Sequence, residues 1–148
     1  MATAGKRKCT KDINMLKHLI VLLILAHAAH ASMAYMAVKV GEPIELSLGA
    51  TVKTWHRSTE SGGQQIARHS SLITNNDNVG KWTDSDGKVL DNAGTYVIDD
   101  EGKLIIAKAT KSDAGTYSSP DVEGTRTDFG DGSFGMTAPP AIGVEVEE

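Results

Sequence analysis

Residues 103–119 have the sequence Lys-Leu-Ile-Ile-Ala-Lys-Ala-Thr-Lys-Ser-Asp-Ala-Gly-Thr-Tyr-Ser-Ser. The apolar run at 104–107 is rich in branched residues, which favours a β-strand. Residues 111–115 are mostly turn formers, and Thr116 and Tyr117 then open another extended segment. The stretch therefore predicts two strands that are joined by a tight corner.

This stretch also resembles a known corner. The pattern Leu-x-Ile followed by Asp-x-Gly-x-Tyr is similar to the strand E to strand F corner of immunoglobulin-like domains. The resemblance implies that the Tyr117 hydroxyl bonds the backbone just upstream, with Asp113 and Gly115 shaping the approach. Two residues after the tyrosine that family has a cysteine, and this chain has Ser119.

The partner of that missing cysteine is also replaced. Residues 44–48 alternate as Ile-Glu-Leu-Ser-Leu, which is typical of a strand with one buried face. The segment resembles strand B, and its cysteine position would be Leu48. Losing such a disulfide costs about 2–5 kcal/mol, so we expect a marginally stable domain. The resemblance predicts an all-β fold, a two-sheet antiparallel immunoglobulin-like sandwich without the inter-sheet disulfide.

Strand C is predicted at residues 51–57, where the resemblance makes Trp55 the tryptophan that packs between the sheets. In many family members an Arg or Lys at the start of strand D pairs with the corner aspartate. Thr95 stands here, which leaves open what pairs with Asp113. The length of the region between strands C and D favours a variable-like or intermediate type.

The last strand has two candidate positions. Phe129-Gly130-Asp131-Gly132-Ser133 resembles the bulge that begins strand G in variable domains. Residues 142–146 alternate more cleanly and follow two prolines, so we predict strand G at 141–146. The glycine-rich segment before it is then the loop between strands F and G.

Residues 1–34 resemble a targeting segment. A basic start precedes the apolar residues 19–26, and both Ala29-His30-Ala31 and Ser32-Met33-Ala34 fit a small-x-small cleavage site. We expect a signal peptide at 1–34, cleaved after 31 or 34, and a single domain at 35–148 that is secreted. The alternative is an uncleaved signal anchor that tethers the protein to a membrane, although His27 and His30 would be costly at membrane depth.

Charge and cysteine content exclude several classes of function. Five of the 15 Lys and Arg residues and one of the 19 Asp and Glu residues lie in 1–34, so the remainder has a net charge of −8. Such an acidic chain lacks the basic patch that nucleic-acid binding needs, and we expect a monomer. The single cysteine, Cys9, lies in the expected leader, which excludes thiol chemistry in the mature domain.

No pattern in the chain predicts catalysis. His56 and His69 are the histidines of the expected domain, and their spacing matches no metal site. The acidic loops lack the ligand pattern of a calcium loop. We therefore expect no catalytic residue, no cofactor and no metal, and the alternative is a metal-binding or enzymatic domain that uses these histidines and the acidic loops.

Surface recognition is the function that the resemblance implies, and it rests on fold analogy. We expect a non-catalytic module that binds an extracellular protein through the F–G loop, residues 118–135, and through a hairpin that contains Trp82 and turns at Asp86-Gly87. The candidate contact residues are Trp82, Phe129 and Phe134, because aromatic side chains beside turn residues are favoured in recognition loops.

Overall fold

Short β-strands make up the regular structure of this computed structural model, which describes residues 33–60 and 63–148. The described residues contain only single-turn 3₁₀ helices, at Ser70–Leu72, Asn76–Asn78 and Lys111–Asp113. The strands are β1 (Met33–Lys39), β2 (Ile44–Leu46), β3 (Thr54–Thr59), β4 (Gln64–Arg68), β5 (Val97–Ile98), β6 (Leu104–Ile106), β7 (Gly115–Ser118), β8 (Arg126–Asp128), β9 (Phe134–Met136) and β10 (Ala141–Glu147).

The strands form three sheets. One sheet has the order β1-β10-β7-β3-β4, a second has the order β2-β6-β5, and β8 pairs with β9 alone. All pairs are antiparallel except β1 with β10, which is parallel. The result is an all-β, sandwich-like arrangement, as the sequence predicts.

The hydrophobic core draws on both of the larger sheets. Alternation along β2 and β6 buries Ile44 and Leu46 opposite Ile106 and Leu104, while Glu45 between them is exposed. The five-stranded sheet and the chain between β4 and β5 contribute the other buried residues of this core. They are Trp55, Ala67, Trp82, Ala93, Tyr96, Tyr117 and Val144.

Trp55 is fully buried in this core, and its indole Nε1 donates to the carbonyl oxygen of Gly102 at 3.1 Å. Gly102 has a φ of +77°, which favours glycine. A Cβ there would come within 2.7 Å of the carbonyl oxygens of both Gly49 and Val52. A side chain at 102 would therefore disturb the turn that receives the indole.

The corner before β7 has the hydrogen bond that the resemblance implies. The Tyr117 hydroxyl donates to the carbonyl oxygen of Asp113 at 2.6 Å, and the ring is fully buried. Burial is the main cause that raises the pKa of Tyr117 above its usual value. A Cβ on Gly115 would overlap the carbonyl oxygen of Ser58 on β3, so the corner requires glycine at its exit.

The buried carboxylate of Asp113 finds its cation on β3. Arg57 Nη1 lies 2.6 Å from Asp113 Oδ1, and both side chains are almost wholly inaccessible to water. Arg57 also donates to the carbonyl oxygen of Ala93 at 2.6 Å and to Gln65 Oε1 at 2.7 Å. Its guanidinium carbon lies 3.9 Å from the centroid of the Trp82 ring. Arg57 therefore supplies the cation for Asp113, in place of the Arg or Lys that the resemblance expects at position 95.

The two expected cysteine positions have different surroundings. Leu48 is half-buried and packs against the core. Ser119 is buried, and its hydroxyl donates to the carbonyl oxygen of Thr54 at 2.8 Å. The hydroxyl thus has the partner that a buried polar group needs.

The first strand begins inside the segment that we expect to be the leader. Residues 1–32 lie outside the described residues, but Met33 and Ala34 open β1 and pair with Ala141 and Ile142 of β10. β10 itself occupies the later of the two candidate positions for the last strand.

Candidate functional site

The segment between β7 and β10 contains a separate hairpin, which the sequence predicts only as a loop. β8 pairs with β9 in antiparallel register, with Arg126 opposite Met136 and Asp128 opposite Phe134. We call residues 124–137 the recognition hairpin. It contains two of the three residues proposed above as protein contacts, Phe129 and Phe134.

One face of the recognition hairpin combines a cation with apolar groups. The guanidinium carbon of Arg126 lies 4.1 Å from the centroid of the Phe134 ring. A cation over an aromatic face at this distance is attracted by the ring quadrupole, by about 0.5–1 kcal/mol at an exposed site. Met136, which pairs with Arg126, adds a flexible thioether to the same face.

The opposite face carries the other phenylalanine. The Phe129 ring lies against Gly135, since a Cβ at that glycine would be 3.2 Å from Phe129 Cζ. Glycine at this position lets the ring lie close to the backbone of β9. The two phenylalanines are therefore presented in defined positions on a short ribbon.

These apolar side chains are open to solvent. The exposed fractions are 63% for Phe129, 52% for Phe134 and 69% for Met136. Phe134 and Met136 lie together on one face, and exposed apolar groups that lie together mark interaction sites more often than single exposed residues do. The recognition hairpin is thus a concentration of exposed apolar surface.

Hydrogen bonds fix the tip of the hairpin. The amide of Phe129 donates to the carbonyl oxygen of Ser133 at 3.1 Å, and the amide of Gly130 donates to Asp128 Oδ1 at 3.0 Å. Asp131 accepts from the hydroxyl and the amide of Ser133, and these two bonds lower the pKa of Asp131 below its usual value.

The base of the hairpin is closed by a pair of threonines. The amide of Thr125 donates to Thr137 Oγ1 and the amide of Thr137 donates to the carbonyl oxygen of Thr125, both at 2.9 Å. A Cβ on Gly124 would overlap the carbonyl oxygen of Thr137, so the strands can meet this closely only with glycine at 124.

The chain that leads into the hairpin is fastened to the start of β3. Asp121 Oδ2 accepts the amides of Lys53 and Thr54, each at 2.8 Å. The amide of Asp121 in turn donates to Ser119 Oγ at 3.0 Å. Sequence reasoning missed Asp121, Arg126 and Met136. The Ser-Pro-Asp sequence at 119–121, a set of turn-forming residues, was the available signal.

The third candidate contact residue, Trp82, does not lie on the surface. Its side chain is fully buried, with its ring 5.0 Å from Tyr96 and 6.3 Å from Tyr117 between centroids, both edge-on. The expectation that Trp82 contacts a partner is therefore wrong. Burying this ring against Arg57 and the tyrosines is more favourable than leaving it exposed to water in a loop. The turn after it does form, with the amide of Gly87 donating to the carbonyl oxygen of Asp84.

The histidines are apart from this hairpin. His56 Nδ1 lies 3.1 Å from Gln64 Nε2, and His69 Nε2 lies 3.6 Å from Asp100 Oδ1. Burial is the main cause that lowers the pKa of His56, and the charge of Arg68 adds to it while Asp121 opposes it. Among residues 33–60 and 63–148, no three His, Cys, Asp or Glu side chains are grouped closely enough to hold a metal ion.

The part of the chain that the structure describes contains no helix that is long and apolar enough to span a membrane. No protein-family model matches the chain, and no curated protein matches it.

Among solved structures, the chain is similar to Drosophila Semaphorin 2a, with a TM-score of 0.43 and 12% identity, over 78% of this chain and 14% of that one. It is also similar to a chain from a structure titled "Structural basis of T cell specificity and activation by the bacterial superantigen toxic shock syndrome toxin-1", with a TM-score of 0.38 and 17% identity, over 80% of this chain and 95% of that one. These values assign neither a family nor a partner.

Proposed function

We propose that the chain is a secreted, non-catalytic recognition module, an immunoglobulin-like domain of the variable or intermediate type that binds another protein through the recognition hairpin. The observation that carries the proposal is the exposure of Phe129, Phe134 and Met136 on one anchored ribbon. Secretion is inferred from the leader-like residues 1–34.

The assignment to the immunoglobulin-like class is supported by strand order and by the corner. The order β1-β10-β7-β3-β4 opposite β2-β6-β5 corresponds to strands A′-G-F-C-C′ opposite B-E-D of such domains. The bond from Tyr117 to the Asp113 backbone matches the tyrosine corner of that class. Trp55 is buried, as the core tryptophan of strand C is in that class.

Binding by the hairpin is supported by its hydrogen bonds as well as its composition. Aromatic rings contribute large contact areas and lose little conformational entropy, which makes them frequent centres of binding energy. The threonine pair at the base and the Asp121 clamp fix the backbone that carries those rings before a partner arrives. Such preorganisation reduces the entropy that binding would otherwise cost.

Affinity capture from extracellular protein tests the proposal. The expected result is that the wild-type chain retrieves a specific protein and that a Phe129→Ala, Phe134→Ala double variant retrieves at least tenfold less of it, a loss typical of contact centres. Tyr35→Ala is the matched control, because Tyr35 is an 80% exposed aromatic residue on β1 and lies outside the hairpin. All three proteins must first show the same melting temperature and circular dichroism.

Two outcomes would contradict the proposal. A folded wild-type chain that retrieves no protein would exclude the function under those conditions. Equal retrieval by the double variant, or an equal loss with Tyr35→Ala, would exclude the hairpin as the specific contact.

A further inference from the structure

A cavity of about 220 Å³ lies beside β4, away from the recognition hairpin in sequence. Its walls come from β4, the two 3₁₀ helices that follow it, the segment at 81–87, and Tyr96. The lining residues are Ile66, Arg68, Leu72, Ile73, Thr74, Asn75, Asn78, Lys81, Thr83, Gly87 and Tyr96. None of them belongs to residues 124–137.

The charge of the cavity is opposite to that of the expected domain. Arg68 and Lys81 contribute two positive charges to its lining, and no Asp or Glu is among the lining residues. The rest of residues 35–148 is strongly acidic. A positive cavity on an acidic molecule selects anionic groups, because cations are repelled from it and anions are repelled from the surface around it.

Hydrogen bonds from Tyr96 hold the backbone of Arg68 at the cavity. The Tyr96 hydroxyl accepts from the amide of Arg68 at 2.8 Å and donates to its carbonyl oxygen at 3.1 Å. The guanidinium uses Nη1 to donate to Thr83 Oγ1 at 3.2 Å. A guanidinium has five N–H donors in a planar fork, so the remaining donors suit a carboxylate.

Three aliphatic residues form an apolar part of the cavity wall, beside the polar side chains of Thr74, Asn75, Asn78 and Thr83, and the cavity is small. Ile66 is buried, and Ile73 is half-buried beside the more exposed Leu72. A volume of 220 Å³ equals the liquid volume of about seven water molecules. This space suits one ring or one branched side chain, and it is below the range that takes drug-sized ligands.

We propose that this cavity binds a carboxylate that is joined to a compact apolar group, with the carboxylate at Arg68 and Lys81 and the apolar group against Ile66 and Ile73. The carboxylate can belong to a small free acid or to the C-terminal residue of a peptide. The site is independent of the recognition hairpin.

Binding of benzoate to the purified full chain tests the site, with amide chemical shifts followed by NMR. The expected result is saturable shifts at Ile73, Asn75 and Lys81, with benzamide binding at least tenfold more weakly. Benzamide keeps the ring and removes the charge, so equal binding of the two probes would overturn the proposal. Shifts confined to other residues would also overturn it.

A comparison of two lysine variants tests whether benzoate binds at the positive charge of the cavity. Lys81→Gln should weaken benzoate about three- to tenfold, because an exposed charged hydrogen bond is lost. Lys108→Gln removes an equally exposed charge that is not part of the lining, and it should leave the affinity unchanged. An equal loss in both variants would mean that benzoate responds only to total charge, which would overturn the site.

A third arm distinguishes the two sources of carboxylate. An acetylated Gly-Phe dipeptide is compared as its free acid and as its C-terminal amide. Tighter binding of the dipeptide acid than of benzoate assigns the cavity to peptide C-termini, and the reverse assigns it to free acids. If neither acid binds better than its own amide, the proposal is wrong.

Discussion

Two arginines in this protein lie over aromatic rings at nearly the same distance, and their surroundings differ completely. Arg57 lies 3.9 Å from the Trp82 centroid in the core, and Arg126 lies 4.1 Å from the Phe134 centroid on the recognition hairpin. The first pair is wholly buried, whereas the Phe134 ring is half exposed. The same contact therefore serves the fold in one place and remains available to a partner in the other.

The difference comes from desolvation. A buried guanidinium loses its water, so it must be compensated by other groups, and Asp113, Ala93 and Gln65 provide the compensation for Arg57. On the hairpin, water hydrates the charge of Arg126, and the stack contributes little to the stability of the fold. Breaking the buried stack should therefore cost more unfolding free energy than breaking the exposed one.

The largest effect is expected for Arg57→Met. Removing the cation leaves the Asp113 carboxylate buried without its charge partner, and the loss of unfolding free energy should be about 3–5 kcal/mol. Urea denaturation measures it. The double variant with Asp113→Asn should lose less than the sum of the two single variants, and strict additivity would show that the pair does not interact.

A smaller effect is expected for Tyr117→Phe, which removes one hydrogen bond at the same buried network and keeps the ring. The loss should be about 0.5–1.5 kcal/mol, again from urea denaturation. A loss as large as that of Arg57→Met would mean that the corner, and not the ion pair, dominates this end of the core.

His56 provides an intermediate case, because burial, and after it the nearby charge of Arg68, lowers the pKa of this histidine. Because the folded protein lowers the pKa of His56, the unfolded chain takes up a proton more readily near pH 6.5. Stability that is fully present above pH 6.5 should therefore decline as the pH falls through the lowered pKa.

Melting temperatures of wild type and His56→Gln between pH 7.5 and 5 measure this contribution. The wild type should lose more stability than the variant over that range. A parallel decline in both proteins would assign the pH dependence to other groups.

The smallest effect on stability is expected for Arg126→Met, the matched change at the exposed stack. Its unfolding free energy should stay within about 0.5 kcal/mol of the wild type, because the stack lies at the surface. A loss comparable with that of Arg57→Met would show that the hairpin supports the fold, and the comparison between the two stacks would fail.

Local patterns predicted much of the sandwich. Alternation located β2 and β10, and the turn formers before Tyr117 located the corner, because those features depend on neighbouring residues. The partner of Asp113 could not be found in this way, since Arg57 lies 56 residues earlier in the chain. One signal was present: strand alternation places residue 57 on the same face as Trp55, and a buried arginine needs an acid.

The candidate site was predicted only in part. The sequence predicts Phe129 and Phe134 as protein contacts in a loop, and their contact role stays a prediction. The ribbon that carries them depends on Gly124 and on a threonine pair twelve residues apart. Trp82 was misplaced because a hairpin pattern identifies a turn and does not indicate which sheet covers the flanking residue. Burial of Trp82 depends on Arg57 and two tyrosines that are distant in sequence.

The closure of the hairpin at Thr125 and Thr137 has a consequence for the evolution of this sequence. The bonds at the base do not involve the side chains between them, and the clamp at Asp121 lies outside the ribbon. Substitutions at 126–136 can therefore alter what the ribbon contacts without weakening the sandwich beneath it. The same separation makes residues 126–136 a place where a library of foreign sequences could be displayed on a support whose described residues contain no cysteine.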